Sequence, residues 1–315
     1  MKKINFSFQQ LIPLGIFIVS FVVFSARTYS FFTFYNILNI LSLITYTAVS
    51  AMGLAVVMLA GLFDLSFVGV IGVLSALLIS LLNVGVHPLP AFLITLAVAA
   101  VLESINALLI VRLKIHPWLS TIATMLMFLG LEKYISKGTY LTTRHPVLEA
   151  LRFGHFGGVS ISIWLMLGIF VIATTVMSYT VLGRRLYAVG GNIISAKKAG
   201  INTEKYQTVS FLVMGLMCWI ASIIYVSQLS GYPPEAAYIN QNEVILAVFV
   251  GMALSRKGIV NVHGAFFGAA FVGFLANGLG LMGISSYWIK LAEGALVVIM
   301  VLGNSINRGK LAQLE

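Results

Sequence analysis

The sequence predicts an all-α polytopic membrane protein with about ten transmembrane helices. Three observations support this class: 60% of the 315 residues are hydrophobic, only 9% are charged, and the mean hydropathy is +1.02. A soluble domain carries about 25% charged residues and could not hide so much apolar surface. A helical span needs about 20 apolar residues, so ten spans occupy most of the chain. We therefore expect residues 1–315 to form a single transmembrane domain.

Ten apolar segments are candidates for these spans. Their lengths favour helices over a membrane barrel, whose strands would alternate over about ten residues. The eighth segment is short. The predicted spans cover residues 11–25, 37–62, 67–84, 89–111, 118–136, 161–182, 208–229, 244–254, 264–282 and 287–303.

Basic residues predict the orientation. The net charge is +10, and lysine and arginine fall mainly on one side of the predicted spans. That side should be cytoplasmic, with both termini inside the cell. The long connection 137–160 is then external and 183–207 internal. Because the basic residues flank spans, we expect them to contact lipid headgroups, and we do not expect nucleic acid as a partner.

The sequence lacks the usual motifs of an enzyme. It contains no G-x-x-x-x-G-K-[ST] phosphate loop, no H-E-x-x-H metal motif and no G-x-S-x-G elbow, and Cys218 is its single cysteine. We therefore expect no bound cofactor, no metal site and no catalytic residues. A transport protein of this kind would depend on a separate energy source. The alternative is a stand-alone secondary transporter or channel for a small polar solute, which would need coupling charges in its spans; only Glu103 qualifies well.

The internal connection 183–207 has the pattern of a short capped helix. Gly190 and Gly191 permit a sharp turn, and Asn192 is a good helix N-cap. Residues 193–199 can form about two helical turns, and Gly200 suits a left-handed C-terminal cap. Ile193, Ile194 and Ala199 would be the contact residues. Such a helix could couple a partner protein to two spans; the alternative is a basic linker that lies against lipid.

This stretch resembles the cytoplasmic loop of the ribose/xylose/galactoside-type permeases of bacterial ABC importers. Their pattern is about "YAIGGNxxAAxxSGI". Here it is represented by Tyr187, Ala188, Val189, Gly190, Gly191, Asn192, Ala196, Ala199, Gly200 and Ile201, without the family's serine. The segments "LESINALLIVRLKIHPWLSTIATM" and "NGLGLMGISSYWIKLAEGALVVIMV" also resemble the family. The similarity extends over residues 36–302.

The resemblance implies a permease subunit like those of type II ABC importers, in the bacterial inner membrane. Two permease subunits would pair around a pathway for a sugar or sugar-like solute. A cytoplasmic ATPase dimer, which uses ATP and Mg²⁺, would grip the 183–207 connection, and an extracytoplasmic binding protein would deliver the solute. The solute's identity and the choice between homodimer and heterodimer stay open.

Two departures from the family pattern concern glycines. The family's Gly-Gly-x-Asp-Leu-Ser-x-Gly is here "GLFDLSFVG", in which one glycine is lost and one is displaced. Near the eighth span, family glycines are replaced by Met252, Arg256 and Val260. We expect close backbone packing to differ there, as in the divergent half of a heterodimer or a permease for an unusual solute.

Polar residues inside an apolar chain are the candidates for the solute pathway. Asp64, the single aspartate, could cap the third span or act at a gate, and the neighbouring Ser66 shares this ambiguity. A carboxylate at Glu103 should face the protein interior, and Asn106 should lie on the same helix face. Interhelical hydrogen bonding is the alternative for these residues. The predicted pathway residues are Asp64, Ser66, Glu103, Asn106 and Asn277.

Overall fold

Helices are present at all ten predicted span positions. The computed structural model describes residues 8–255 and 258–312. Its helices are α1 (Phe8–Arg27), α2 (Phe34–Leu59), α3 (Phe67–Asn83), α4 (Pro88–Ala107), α5 (Pro117–Ser136), α6 (Pro146–Phe153), α7 (Ile161–Tyr179), α8 (Val181–Gly191), α9 (Ile193–Lys198), α10 (Thr203–Leu229), α11 (Ala236–Ile239), α12 (Gln241–Leu254), α13 (Val262–Leu281) and α14 (Ser286–Ala312). A π-helical turn, Leu108–Arg112, continues α4.

Six helices within the described residues are long and apolar enough to cross a membrane. They are α1, α2, α4 with its π turn, α7, α10 and α13. Two further apolar helices, α3 and α12, are shorter, with 17 and 14 residues. The helical membrane class is confirmed by these elements, while ten crossings stay a prediction.

Helix α2 lies at the centre of the bundle. Every residue from Ile44 to Val57 is buried, on all faces of the helix. A helix that is apolar all round is typical of a buried position. Its main partners are α10 and α13, and α3 packs against α5 on one side of α10. The polar side chains that α2 carries must therefore find partners inside the protein.

Close packing of α12 on α13 depends on small residues. A Cβ atom on Gly268 would overlap the carbonyl oxygen of Ala247, and one on Gly251 would overlap Gly264. Small residues let membrane helices approach closely. Met252 and Val260, which stand where the family has glycine, are both buried. The bundle therefore accommodates larger side chains beside this helix contact. Arg256 lies outside the described residues.

The helical fold also contains four two-residue strands, which lie in the connection 137–160 and in the connection between α10 and α12. Strand β1 (Leu141–Thr142) pairs antiparallel with β4 (Gly231–Tyr232), and β2 (His155–Phe156) pairs with β3 (Val159–Ser160). Gly231 allows the β1–β4 approach, because a Cβ atom there would overlap the Leu141 carbonyl. Helix α6 also lies in the first connection. The two connections thus form one cap.

Ion pairs bring the chain segments at each end of the bundle together. At one end, Lys114 after α4 pairs with Glu204 at the start of α10, with 2.8 Å between Nζ and Oε1. At the end that carries the β1–β4 sheet, Lys133 pairs with Glu235 at 2.7 Å. Lys114, which precedes α5, and Lys133, in the last turn of α5, therefore make their ion pairs at opposite ends of the bundle.

Candidate functional site

The connection 183–207 is almost entirely helical. Asn192 separates α8 from α9, with φ −157° and ψ 105°. Its Oδ1 accepts a hydrogen bond of 2.9 Å from the backbone amide of Ser195. This bond satisfies one of the free amides in the first turn of α9. The predicted N-cap is confirmed.

The C-terminal end of α9 is also closed by a defined cap. Gly200 has φ +76°, a conformation that favours glycine. The amide of Gly200 donates to the carbonyl of Lys197, and the amide of Ile201 donates to that of Ala196, both at 3.0 Å. This pair of bonds is a Schellman motif. The predicted left-handed cap is confirmed, so α9 is fixed at both ends.

The predicted turn at Gly190 and Gly191 is wrong, because both residues belong to α8. Gly190 is instead a point of contact between main chains. A Cβ atom there would overlap the carbonyl oxygen of Leu59 at the end of α2. Gly191 has nothing within 4 Å of the position of a Cβ atom among the described residues. The need for glycine at Gly190 therefore comes from packing.

The residues of the predicted coupling pattern from Ile193 to Ile201 differ in exposure. Ile193 and Ile194 are 40% and 65% exposed. Ala199 and Gly200 are also exposed. Ala196, by contrast, is 4% exposed and faces the protein, so it is not available to a partner. Ile201 is partly buried against the core.

The base of α8 is joined to the start of α10 by side chains. Arg185 donates a hydrogen bond to the hydroxyl of Tyr206 and lies over its ring, 5.5 Å from the centroid. Tyr187 is half-buried, and burial raises the pKa of its phenol. These contacts hold the connection against the bundle and leave Ile193 and Ile194 free on its outer face.

Four of the five predicted pathway residues lie in one buried network between α3, α4 and α5. Oδ1 of Asp64 accepts from the amide of Ser66 at 2.8 Å and from its hydroxyl at 2.7 Å. Ser66, rather than Asp64, is the residue that precedes α3, and its side chain makes no cap bond to the helix. Asp64 therefore accepts a hydrogen bond from one backbone amide near the start of α3, but it lies in the turn before the helix and not at the N-cap position.

Asn106 is the centre of this network. Its Nδ2 donates to the Ser66 hydroxyl at 2.7 Å and to Oε2 of Glu103 at 3.1 Å. The hydroxyl of Thr124 on α5 donates to Oδ1 of Asn106 at 2.7 Å. Asp64, Ser66, Glu103 and Asn106 are all 0% exposed. The interior position predicted for Glu103 and the shared face of Asn106 are confirmed.

Asn277 lies apart from the network. It exchanges two hydrogen bonds with Asn36 on α2, one in each direction, at 2.9 and 3.0 Å. Asn36 also donates to the carbonyl of Phe31. The pair joins α13 to the start of α2. The partners Asn36 and Thr124 were not predicted, since neither stands out among the other polar residues in its span.

Metal binding receives no support from the described part of the chain, where no group of three His, Cys, Asp or Glu side chains is placed to hold an ion. The buried network instead offers hydroxyl, amide and carboxyl groups that are largely bonded to one another. It joins three helices, and Oδ2 of Asp64 and Oε1 of Glu103 have no hydrogen-bond partner among the described residues.

A bundle of apolar helices, several long enough to cross a membrane, with a capped helix exposed at one end, defines the class of polytopic membrane proteins. Comparison with known proteins supplies the family. The chain belongs to the family described as "Branched-chain amino acid transport system / permease component", whose profile matches residues 36–301. The resemblance to sugar ABC importer permeases seen in the sequence is confirmed by the relatives below.

The chain is similar to several curated permeases. It is 30% identical over 224 residues to the ribose import permease protein RbsC of Haemophilus influenzae, covering 69% of each chain. It is 33% identical over 230 residues to the RbsC of Bacillus subtilis, covering 72% of this chain and 71% of the relative. It is 34% identical over 144 residues to the xylose transport system permease protein XylH of Escherichia coli, covering 46% and 36%.

Proposed function

We propose that this chain is the membrane subunit through which a bacterial ABC importer passes a sugar or sugar-like solute, and that α9 is the helix on which the partner ATPase acts. The observation that carries the proposal is the geometry of α9. Asn192 and Gly200 fix both its ends, while Ile193 and Ile194 project an apolar surface away from the bundle. The ribose and xylose permeases among the relatives support a sugar as the solute.

The position of α9 suits the transmission of force. A rigid helix held at both ends transfers a displacement to the elements beside it, because it has no flexible segment to absorb the motion. On one side α8 meets the main chain of α2 through Gly190. On the other side Asn202 caps α10 by accepting from the amide of Lys205 at 3.0 Å. Movement of α9 would therefore reach two helices of the core.

The proposal includes the partners and the orientation. Two ATPase subunits would bind ATP and Mg²⁺ and close against α9 of two paired permease subunits. An extracytoplasmic solute-binding protein would dock on the end that carries the β1–β4 sheet. Both termini would then lie in the cytoplasm, with ten helices crossing the inner membrane. The excess of basic residues beside α9 supports this orientation.

The second candidate, a stand-alone secondary transporter or channel, would move solute without ATP. Its support is the presence of Asp64 and Glu103 inside the bundle. Both carboxyl groups are fully buried, and one oxygen of each is bonded to Ser66 or Asn106. The other oxygen of each has no hydrogen-bond partner among the described residues. Dependence of transport on ATP hydrolysis separates the two candidates.

The test compares two isoleucines of equal exposure at opposite ends of the protein. Ile194 is 65% exposed on α9 and Ile239 is 64% exposed on α11. We expect Ile194→Glu to abolish co-purification with the cognate ATPase and ATP-driven uptake, because a charge replaces an apolar contact. Ile239→Glu should keep ATPase binding.

The proposed role of α9 is contradicted if Ile194→Glu, purified in the folded state, retains ATPase binding and wild-type uptake. Equal loss of ATPase binding in both variants would also contradict it. Uptake by the wild-type protein in vesicles that lack ATP would support the second candidate.

A further inference from the structure

A cavity of about 300 Å³ lies between α2, α10, α12 and α13, apart from the network around Asn106. Ligand sites usually enclose about 300–1,000 Å³. Leu229, the last residue of α10, lines this cavity and also a second cavity of about 390 Å³ among the residues of the cap. The first cavity therefore lies toward the end of the bundle that carries the β1–β4 sheet.

Two stacked tyrosines form part of the wall. The rings of Tyr46 and Tyr225 lie 4.4 Å apart between centroids, at an angle of 27°. The hydroxyl of Tyr225 is occupied: it accepts from Nδ2 of Asn240 at 2.7 Å and donates to the carbonyl of Ala236 at 3.2 Å. The hydroxyl of Tyr46 has no hydrogen-bond partner among the described residues, although Tyr46 is only 3% exposed.

An unpaired hydroxyl at such depth is costly. Burial of a polar group without a partner is unfavourable, and most buried polar groups in folded proteins are paired. Tyr46 lies on α2, the central helix of the bundle, and its hydroxyl oxygen is enclosed by protein atoms. Because Tyr46 lines the cavity, a small movement of its ring toward the cavity would let a bound molecule supply the missing hydrogen bond.

Glu243, the acidic residue that lines the cavity, is paired with a basic side chain. Lys290 on α14 forms an ion pair with Oε1 of Glu243. The other carboxylate oxygen, Oε2, accepts only a long bond of 3.5 Å from the hydroxyl of Thr47. Because a carboxylate oxygen has two lone pairs, Oε2 can accept a further, shorter bond from a ligand.

The charges of the wall select against an anion. Among the described residues that line the cavity, none is lysine, arginine or histidine, and Glu243 is the acidic one. An anionic solute would meet no unpaired positive charge there. A neutral molecule with several hydroxyls could instead donate to Glu243, pair with the hydroxyl of Tyr46 and lie against the aliphatic lining of α13.

We propose that this cavity is a solute-binding position along the import route, and that it takes a neutral polyhydroxylated molecule with hydrogen bonds to the Tyr46 hydroxyl and to Oε2 of Glu243. The chemical class rests on the proposed function, since a sugar permease passes such molecules. The network around Asn106, which the sequence suggested as the route, then acts as a structural junction beside it.

The experiment measures protection of an introduced cysteine in the full-length protein. Ala276 lines the cavity, whereas Ala270 lies on the same helix, is also partly buried and is not among the lining residues. The native Cys218 is 0% exposed, so its background reaction should be low. Ala276→Cys and Ala270→Cys are labelled with a small water-soluble thiol reagent, with and without D-ribose, D-xylose, D-galactose or ribose 5-phosphate.

We expect at least one neutral sugar to slow the labelling of Ala276→Cys but not that of Ala270→Cys, and ribose 5-phosphate to have no such effect. In the Ala276→Cys background, Tyr46→Phe should raise the sugar concentration for half protection about fivefold, as expected for one lost hydrogen bond. Tyr232→Phe is the matched control. Tyr232 is also fully buried, but its hydroxyl accepts from the amide of Ala237 at 3.1 Å and it does not line the cavity.

The proposal is overturned if no neutral sugar protects Ala276→Cys, if both cysteines are protected equally, or if Tyr46→Phe and Tyr232→Phe change protection to the same extent. Equal protection by ribose 5-phosphate would overturn the neutral class. Because protection is measured without ATP or the ATPase, these outcomes are distinct from failure of ATPase binding, which concerns the proposed function alone.

Discussion

Gly190 of α8 and Leu59 of α2 meet through their main chains. The approach is so close that a Cβ atom on Gly190 would overlap the Leu59 carbonyl oxygen. Gly61, at φ +78°, continues the same contact, since a Cβ atom on it would lie 3.4 Å from the Cα atom of Gly190. The helix that precedes α9 is thus packed without intervening side chains on the central helix of the bundle.

This contact predicts opposite outcomes for two adjacent glycines. Gly190→Ala should destabilise the protein by about 1–3 kcal/mol, because overpacking forces the main chains apart. Gly191→Ala should change stability by no more than about 0.5 kcal/mol, since no atom of the described residues lies within 4 Å of its Cβ position. Thermal unfolding in detergent and stimulation of the partner ATPase are the measurements. Equal effects from the two substitutions would show that the packing contact is unimportant.

The N-cap of α9 gives a second prediction. Asn192→Ala removes the acceptor of the Ser195 amide and should weaken α9 by about 1 kcal/mol. Hydrogen exchange of the amides of residues 194–197 should accelerate, while exchange in α13 stays unchanged. Ser195→Ala is the control, because it keeps the backbone amide that makes the bond. Unchanged exchange in Asn192→Ala would mean that the cap contributes nothing.

The buried network gives a third prediction. Asn106→Leu removes the hydrogen bonds that Asn106 makes to Ser66, Glu103 and Thr124. The polar groups of these three residues then lose a partner inside an apolar interior. We expect a loss of about 2 kcal/mol or more in stability. Ser104→Ala on the same helix is the control, since Ser104 is exposed and donates only to the carbonyl of Ala100 within its own helix. Similar losses in both variants would contradict a special role for the network.

The pair Asn36 and Asn277 gives a fourth prediction, best tested by a double-mutant cycle. Asn36→Leu, Asn277→Leu and the double variant should give a coupling free energy of about 0.6–2 kcal/mol, the range measured for hydrogen bonds between membrane helices. A coupling near zero would show that the two amides act independently. Thermal unfolding of all four proteins in the same detergent supplies the values.

Prediction from sequence succeeded where one local rule determines the conformation. The positions of the helices follow from the apolar segments, and the ends of α9 follow from an asparagine and a glycine at the usual cap positions. The turn predicted at Gly190 and Gly191 is wrong because glycine is favoured both in turns and at close contacts between helices. Only the tertiary approach of α2 reveals that Gly190 serves the second purpose.

The polar residues inside the bundle show the limit of sequence reasoning. Glu103 and Asn106 were expected to share a helix face, because they are three positions apart. Their links to Ser66 and Thr124 join separate helices, so no spacing within one segment predicts them. The cavity beside Tyr46 likewise depends on four helices that are distant in sequence. Tyr46 looked like an ordinary aromatic residue of an apolar span.

Helix α10 is one uninterrupted element of 27 residues, about 40 Å long at 1.5 Å per residue. Its first turn adjoins the capped helix α9, and its final turns carry Tyr225 and Gln228 into the cavity before the chain enters the β1–β4 sheet. Such an element would act as a lever. If α9 moves as we propose, a small tilt of α10 would change the width of the cavity and the position of the β1–β4 sheet together, because one rigid helix joins them.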